Sequence, residues 1–397
     1  MALAALIMAY DTIDGGSEAL RATLPVAGRT LVEHQARQAI AAGARHVILL
    51  VERIPAELVA AIDRLRHDGV QLEVARTMAD AADRAHPDEG LLLFADGCLA
   101  DQRLVERVAS AASPAVLVLE DRAGRDRHER IDGSHRWAGL ARLDGESVRR
   151  TAAMLGDWDA QSTLLRRAVQ AGAARILADP EPTPLLASSA QAVDGYDRAL
   201  VTASRRDAPG WPSHYLFALG EGPAAAALAA RAVDPVLVAA GGAALAIAAP
   251  LAGLAGWVGS GLALALLSGP VAGIAARIGR LRLSPVRHAR LIERVRIAGL
   301  AAGPLALAHW LAIDGQWGWW ALAALLLGAG ATLWQARRLQ RSLPRWIADP
   351  DALAWLLAPF AVAGFWGEGM VAITAYAAVS AGDALRRLGR DRDLNAV

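Results

Sequence analysis

Two stretches of this chain hold residues whose types and spacing could do chemistry. In the first, Asp11-Thr12-Ile13-Asp14-Gly15-Gly16-Ser17-Glu18 leads to Arg21, and an acid, Asp96, stands in Leu93-Phe94-Ala95-Asp96-Gly97. Paired glycines let backbone N–H groups converge on a phosphate, or make an ordinary turn. Asp96 is either a strand-end cap or an oxygen ligand for a cation. The acids at 11, 14 and 18 work against a bound triphosphate. In the second stretch, Gly269 to Arg277 ends an apolar run, and Arg280, Arg282, Arg290, Arg294 and Arg296 follow. Guanidinium groups grip phosphate bidentately, and the same charges also orient membrane helices and touch lipid headgroups. All 41 basic residues are arginine, so no lysine-dependent phosphate clamp or Schiff base is available. The single Cys98 excludes an intramolecular disulfide and a multi-cysteine metal site. His34 reads as a packing or surface residue, and His309 and Glu368 as solvated or structural groups.

The elements that must position these residues fall into two halves. The chain has 397 residues, 54% of them hydrophobic, with mean hydropathy +0.29 and net charge +1. The near-zero charge gives no case for nucleic acid, and the apolar excess lies after Val233. Before it, 3–9, 46–51, 71–75, 90–95 and 115–119 read as strands, and 31–42 and 55–67 as helices. This alternation predicts a doubly wound parallel sheet. Ligands in such sheets bind beyond the carboxyl ends of the strands, here Tyr10–Arg21 and Asp96-Gly97. The opening Met1–Asp11 lacks a basic segment and reads as a buried first strand rather than a signal peptide. Residues 181–232 read as linker, opened by the Pro180–Pro184 stretch, with a helix near 224–231 that is either interfacial or a plain Ala-rich soluble helix.

After Val233 the pattern predicts six spans, near 235–253, 255–276, 297–314, 317–335, 352–367 and 369–385. Arginines follow the second (277–296), the fourth (Arg337, Arg338, Arg341, Arg345) and the sixth (Arg386, Arg387, Arg390, Arg392), and the alternate loops carry none. The positive-inside rule then places both the N-terminal domain and the C-terminus in the cytoplasm, on a multi-pass protein of the cytoplasmic membrane.

The segment Leu24-Pro25-Val26-Ala27-Gly28-Arg29-Thr30-Leu31-Val32-Glu33-His34-Gln35, with Asp96 and Trp137–Leu143, resembles the sugar-phosphate nucleotidyltransferases. The resemblance implies a Rossmann-like domain over 1–180. Nucleotide would lie at Gly15, Gly16 and Arg21, the last in place of the family's catalytic lysine, with Mg2+ on Asp96. The stretch Gly269–Arg277 resembles the signature of CDP-alcohol phosphatidyltransferases, Asp-x-x-Asp-Gly-x-x-Ala-Arg. Gly273, Ala276 and Arg277 match. Gly269, Ala272, Arg290 and Arg294 stand where that family has metal-binding aspartates. This implies an all-α six-helix membrane domain over 233–397, with a homodimer through it. Arg277, Arg280 and Arg282 would contact phosphate or lipid. Arginine carries donors only, whereas magnesium needs oxygen, so metal-dependent transfer is not expected there.

The order of the two parts is similar to the bifunctional inositol-1-phosphate cytidylyltransferase / di-myo-inositol-phosphate-phosphate synthase family. Two expectations compete. One is a transferase of polar headgroup synthesis. The other is a non-catalytic scaffold that binds lipid, a nucleotide or a CDP-linked ligand beside an active relative.

Overall fold

Leu3-Ala4-Ala5-Leu6-Ile7-Met8 is apolar throughout and fully buried, as suits a strand covered on both faces. It forms β1 (Leu3–Met8) inside a seven-stranded sheet. The structure is a computed structural model and describes residues 2–15, 18–154, 158–178, 183–203, 210–231, 233–281, 283, 288–313, 315–339 and 344–394. Gly16, Ser17, the Pro180-Glu181-Pro182 stretch, Arg282 and Arg341 lie outside the described residues.

After β1 come β2 (Pro25–Val26), β3 (Arg29–Thr30), α1 (Leu31–Ala41), β4 (Val47–Leu50), α2 (Ala56–His67), β5 (Leu72–Ala75) and α3 (Met78–Arg84). Then follow β6 (Gly90–Phe94), β7 (Cys98–Leu99), α4 (Gln102–Ser110), β8 (Ala115–Glu120), β9 (His135–Asp144) and α5 (Gly145–Met154). The unit ends with α6 (Ala160–Gln170), β10 (Ala174–Leu177), β11 (Leu185–Leu186) and α7 (Ala190–Ala203). The sheet order is β10-β8-β9-β6-β1-β4-β5.

Strands β6, β1, β4 and β5 run parallel, as the alternation with helices predicts. The expectation of an all-parallel sheet is corrected at β9, which is antiparallel to both β6 and β8. Residues 121–134, which join β8 to β9, contain no helix. A parallel return needs a longer crossover, usually through a helix, so this connection reverses the chain.

The Leu24–Gln35 segment is a hairpin followed by a capped helix. Ala27 and Gly28 take positive φ (48° and 78°), which suits a two-residue turn between β2 and β3. Thr30 and Glu33 then form a reciprocal capping box at the start of α1. Glu33 is fully buried, and Arg64 of α2 donates to it at 3.0 and 2.8 Å.

The first compact unit continues past residue 180, to Ala203. β11 pairs with β7, and Asp197 of α7 accepts from the Ala27 backbone N–H at 3.0 Å. Ala187, Val193 and Tyr196 close a second apolar cluster over Leu24, Val26, Leu31 and Leu99. The expected linker is therefore divided, and its first part belongs to the α/β unit.

The second unit comprises 204–280 and 285–397. Its helices are α8 (Ala218–Ala230), α9 (Pro235–Leu254), α10 (Val258–Leu281), α11 (Ala289–Leu311), α12 (Gly318–Leu339), α13 (Pro350–Val362) and α14 (Trp366–Leu394). Among the described residues, three helical stretches are long and apolar enough to cross a membrane: Pro235–Leu254, Val258–Arg280 and Gly318–Leu339. α11 opens with Arg290, Glu293, Arg294 and Arg296. α13 has 13 residues, a rise of about 20 Å against a hydrocarbon core of about 30 Å. Small residues let the helices approach closely. A Cβ on Gly299 of α11 would lie 2.6 Å from the Ala246 carbonyl of α9.

A fragment of residues 1–203 should be soluble and unfold in one cooperative transition. One ending at 178 strips β11 and α7 from the Leu24–Leu99 cluster and should be less stable or aggregate. Thermal melts of the two fragments decide this, and equal stability would contradict the boundary.

Candidate functional site

In the α/β unit the candidate site lies where β1 and β6 end side by side. Asp96 is 2% exposed. Its Oδ2 accepts from the backbone N–H groups of Tyr10 and Asp11, each at 2.7 Å, tying the two strand ends together. Its own N–H donates to Gln161 Oε1 of α6 at 2.9 Å. From α1, Gln35 Nε2 donates to the Cys98 carbonyl at 2.9 Å and Gln38 Nε2 to the Ala100 carbonyl at 2.7 Å, holding the loop after β6. Gly97 takes φ +76°, and a Cβ there would overlap the Ala187 carbonyl, so the turn needs glycine. Asp96 Oδ1 is buried and meets no hydrogen-bond partner. Burial pushes the Asp96 carboxyl up to about 7, against the opposing pull of its two backbone donors. Tyr10 donates to Asp159 Oδ1 at 2.9 Å, and burial together with that carboxylate holds its hydroxyl protonated.

In the loop after β1, Asp11 and Asp14 are paired with arginines. Arg21 donates to Asp11 Oδ2 at 2.8 Å and to the Thr12 carbonyl at 3.1 Å, and lies 3.6 Å from Asp14. Asp14 also pairs with Arg127 at 2.7 Å and accepts from the Ser188 hydroxyl at 2.8 Å. The Arg127 and Ser188 hydrogen bonds hold its carboxyl below the usual range. Gly15 takes φ +99° with open space around it; Gly16 lies outside the described residues. Arg127, Ser188 and Gln161 lie far along the chain, and nothing in their local spacing links them to this loop. His34 is buried in α1, and burial lowers it to about 4, so it is a neutral packing residue. Burial likewise pushes the Cys98 thiol up to about 12.

In the helical unit Gly269, Ala272, Gly273, Ala276, Arg277 and Arg280 line a cavity of about 800 Å³ among α9–α14. Two carboxylates that the motif does not contain occupy its polar end. Glu221 of α8 accepts from Arg277 Nε at 2.8 Å, with both side chains at least 96% buried. A Cβ on Gly273 would overlap the Glu221 carboxylate. Asp351, in the first turn of α13, accepts from Arg296 at 2.9 and 3.0 Å. A Cβ on Gly269 would lie 2.7 Å from Asp351 Oδ1. Glu293 also pairs with Arg296, at 2.9 and 3.0 Å.

Arg290 and Arg294 are exposed, whereas Ala289, Ile292, Glu293 and Arg296 face the cavity. Arg337 and Asp349 complete its charged lining. Arg282 lies outside the described residues. Among the described residues, no group of three or more His, Cys, Asp or Glu side chains is placed to hold a metal ion. Glu221 sits in Gly220-Glu221-Gly222-Pro223, and Asp351 follows a helix cap. Neither position announces a partner 56 or 55 residues away.

No family model matches the sequence, and no curated protein is significantly similar to it. One solved structure with a similar course is a Bacillus anthracis protein assigned as a glucose-1-phosphate thymidylyltransferase, in complex with sucrose. It is 12% identical, covers 54% of this chain and 99% of its own, and has a TM-score of 0.40.

The Asp96 carboxyl is harder to ionise folded than unfolded. Its contribution to stability is therefore full below its ordinary value of 3.8 and is lost as pH rises through about 7. Relative to Asp96→Asn, the wild-type α/β unit should lose on the order of 1 kcal/mol or more between pH 4 and 7. Melts across that range check this; parallel curves for the two proteins would contradict it.

Gly273→Ala must displace the Glu221 carboxylate from Arg277 and should destabilise the helical unit by about 1–3 kcal/mol. In an Glu221→Ala background the same substitution should cost little. A double-mutant cycle on detergent-solubilised protein measures the coupling, and additive costs would show that the contact is absent.

Proposed function

We propose that this chain is a multi-pass protein of the cytoplasmic membrane, akin to fusions of a nucleotidyltransferase with a CDP-alcohol phosphotransferase. Its membrane unit binds an amphiphilic ligand without metal-dependent transfer. The observation that carries this reading is what sits against Gly269 and Gly273. The motif's ligand positions lack carboxylates, and the nearby carboxylates of Asp351 and Glu221 are bonded to Arg296 and Arg277. A hard cation needs uncommitted oxygens. Here Arg277 and Arg296 neutralise the two carboxylates beside those positions, and Glu221 Oε1 is the one oxygen of theirs left without a hydrogen bond.

Three long apolar helices support membrane insertion. The six-span arrangement, with 1–203 and the C-terminus cytoplasmic, is supported by the arginines after the second, fourth and sixth helices. Membrane lipids are then the partners of the helical unit.

A second reading concerns the α/β unit and is favoured by Asp96 Oδ1, a buried acceptor without a partner at the strand ends where such sheets bind ligands. A magnesium ion takes six oxygens, often one or two from carboxylates and the rest from phosphate and water. Asp96 could supply one of them, since Asp11 and Asp14 are committed to Arg21 and Arg127. The ion would therefore come with a nucleotide rather than wait in a preformed cage. Arg21 would have to exchange Asp11 for phosphate.

Membranes containing only this protein should not transfer labelled headgroup from a CDP-alcohol. Transfer that a chelator abolishes, and that changes in residues 1–203 leave intact, would overturn the binding reading. A reporter fused after Val397 should be active on the cytoplasmic side. Purified protein given CTP, magnesium and a panel of phospho-alcohols should release pyrophosphate only if the second reading holds, and Arg21→Ala should then abolish that release.

A further inference from the structure

The polar end of the membrane-unit cavity is balanced in charge. Of its described lining residues, four are arginines and four are carboxylates. The buried arginines, Arg277 and Arg296, are held by Glu221, Glu293 and Asp351. Arg280 and Arg337 are exposed in the same lining. A balanced ring gives little net attraction to a purely anionic or purely cationic headgroup. It suits a headgroup that carries both signs, with phosphate toward guanidinium and ammonium toward carboxylate.

A second, independent observation selects among zwitterions. Glu221 is 4% exposed, and its Oε1 is buried without a hydrogen-bond partner over Gly273 in the cavity wall. A buried, unmet carboxylate oxygen is costly, and where the described residues offer no group of side chains to hold a metal ion beside it, a hydrogen-bond donor relieves that cost. A primary ammonium brings donors, and a quaternary ammonium brings none. The remaining wall is apolar, lined by residues such as Leu262, Leu300, Leu307 and Leu357, and so accepts acyl chain.

We propose that this cavity selects a phospholipid whose headgroup joins a phosphate diester to a primary amine, of the phosphatidylethanolamine kind. The ammonium donates to Glu221 Oε1, and the phosphate lies toward Arg280 and Arg337. This deepens the reading that the cavity binds rather than reacts, and it rests on that reading.

The test is native mass spectrometry of the full-length chain in detergent. The chain is titrated separately with dioleoyl phosphatidylethanolamine, phosphatidylcholine and phosphatidylglycerol. Phosphatidylethanolamine should bind about tenfold or more tightly than either of the others. Glu221→Gln should reduce that preference several-fold without abolishing lipid binding. The wild-type panel needs no variant, so a misfolded Glu221→Gln does not spoil the test. Equal binding of phosphatidylcholine, or tighter binding of phosphatidylglycerol, would overturn the selectivity and leave the binding reading standing. No binding of any of the three lipids would overturn both. A metal-dependent change in the mass of bound lipid would overturn the binding reading itself.

Discussion

The guanidinium of Arg277, 3% exposed among apolar helices, must be neutralised within hydrogen-bond distance, because stranding a buried charge costs several kcal/mol. Glu221 does this from α8, and much of the helical unit's polar end follows. To reach Arg277 the carboxylate must cross α10 at Gly273, where no side chain fits. The second pair repeats the arrangement. Asp351 crosses the same helix beside Gly269 to meet Arg296, and Glu293 completes that group. The glycines of α10 are thus the surfaces on which two ion pairs rest.

The α/β unit solves a similar problem with backbone donors. Asp96 takes the N–H groups of Tyr10 and Asp11, and so joins β1 to β6 where a ligand would be met. Burial outweighs those two donors and leaves the carboxyl near neutrality in its proton affinity. One of its oxygens has no partner, while Asp11 and Asp14 of the adjacent loop are matched by Arg21 and Arg127. The acidic loop that looks hostile to phosphate in the sequence is therefore closer to neutral in the fold.

Much of the α/β unit was legible because its strands are short apolar runs separated by helical periods. The observed strands Leu3–Met8, Val47–Leu50 and Gly90–Phe94 end within one residue of the expected limits of 3–9, 46–51 and 90–95. The reversal at β9 was missed because strand direction depends on the connection, and residues 121–134 carry no mark of being a return rather than a crossover. Asp96 was legible because it ends an apolar strand beside a glycine. Arg127, Ser188 and Gln161 were not, since each meets the site through tertiary folding from a distant part of the chain. In the helical unit the glycines and arginines were visible as a motif. Glu221 and Asp351 were hidden because a lone acid in a small-residue helix, or behind a helix cap, has many ordinary uses.

Gly273 and Arg277 carry the resemblance to a metal-dependent signature, yet both have work in this fold that needs no metal. Gly273 clears the path of the Glu221 carboxylate, and Arg277 receives it. Ala276, one residue before that arginine, lines the same cavity without adding a polar atom. The Glu221–Arg277 pair ties α8 to α10. A match at such positions reports helix packing and charge pairing, and chemistry has to be read from the oxygens near them. Near Gly269 and Gly273 those oxygens belong to the carboxylates of Asp351 and Glu221, each bonded to an arginine, and Glu221 Oε1 is the one of them without a hydrogen-bond partner.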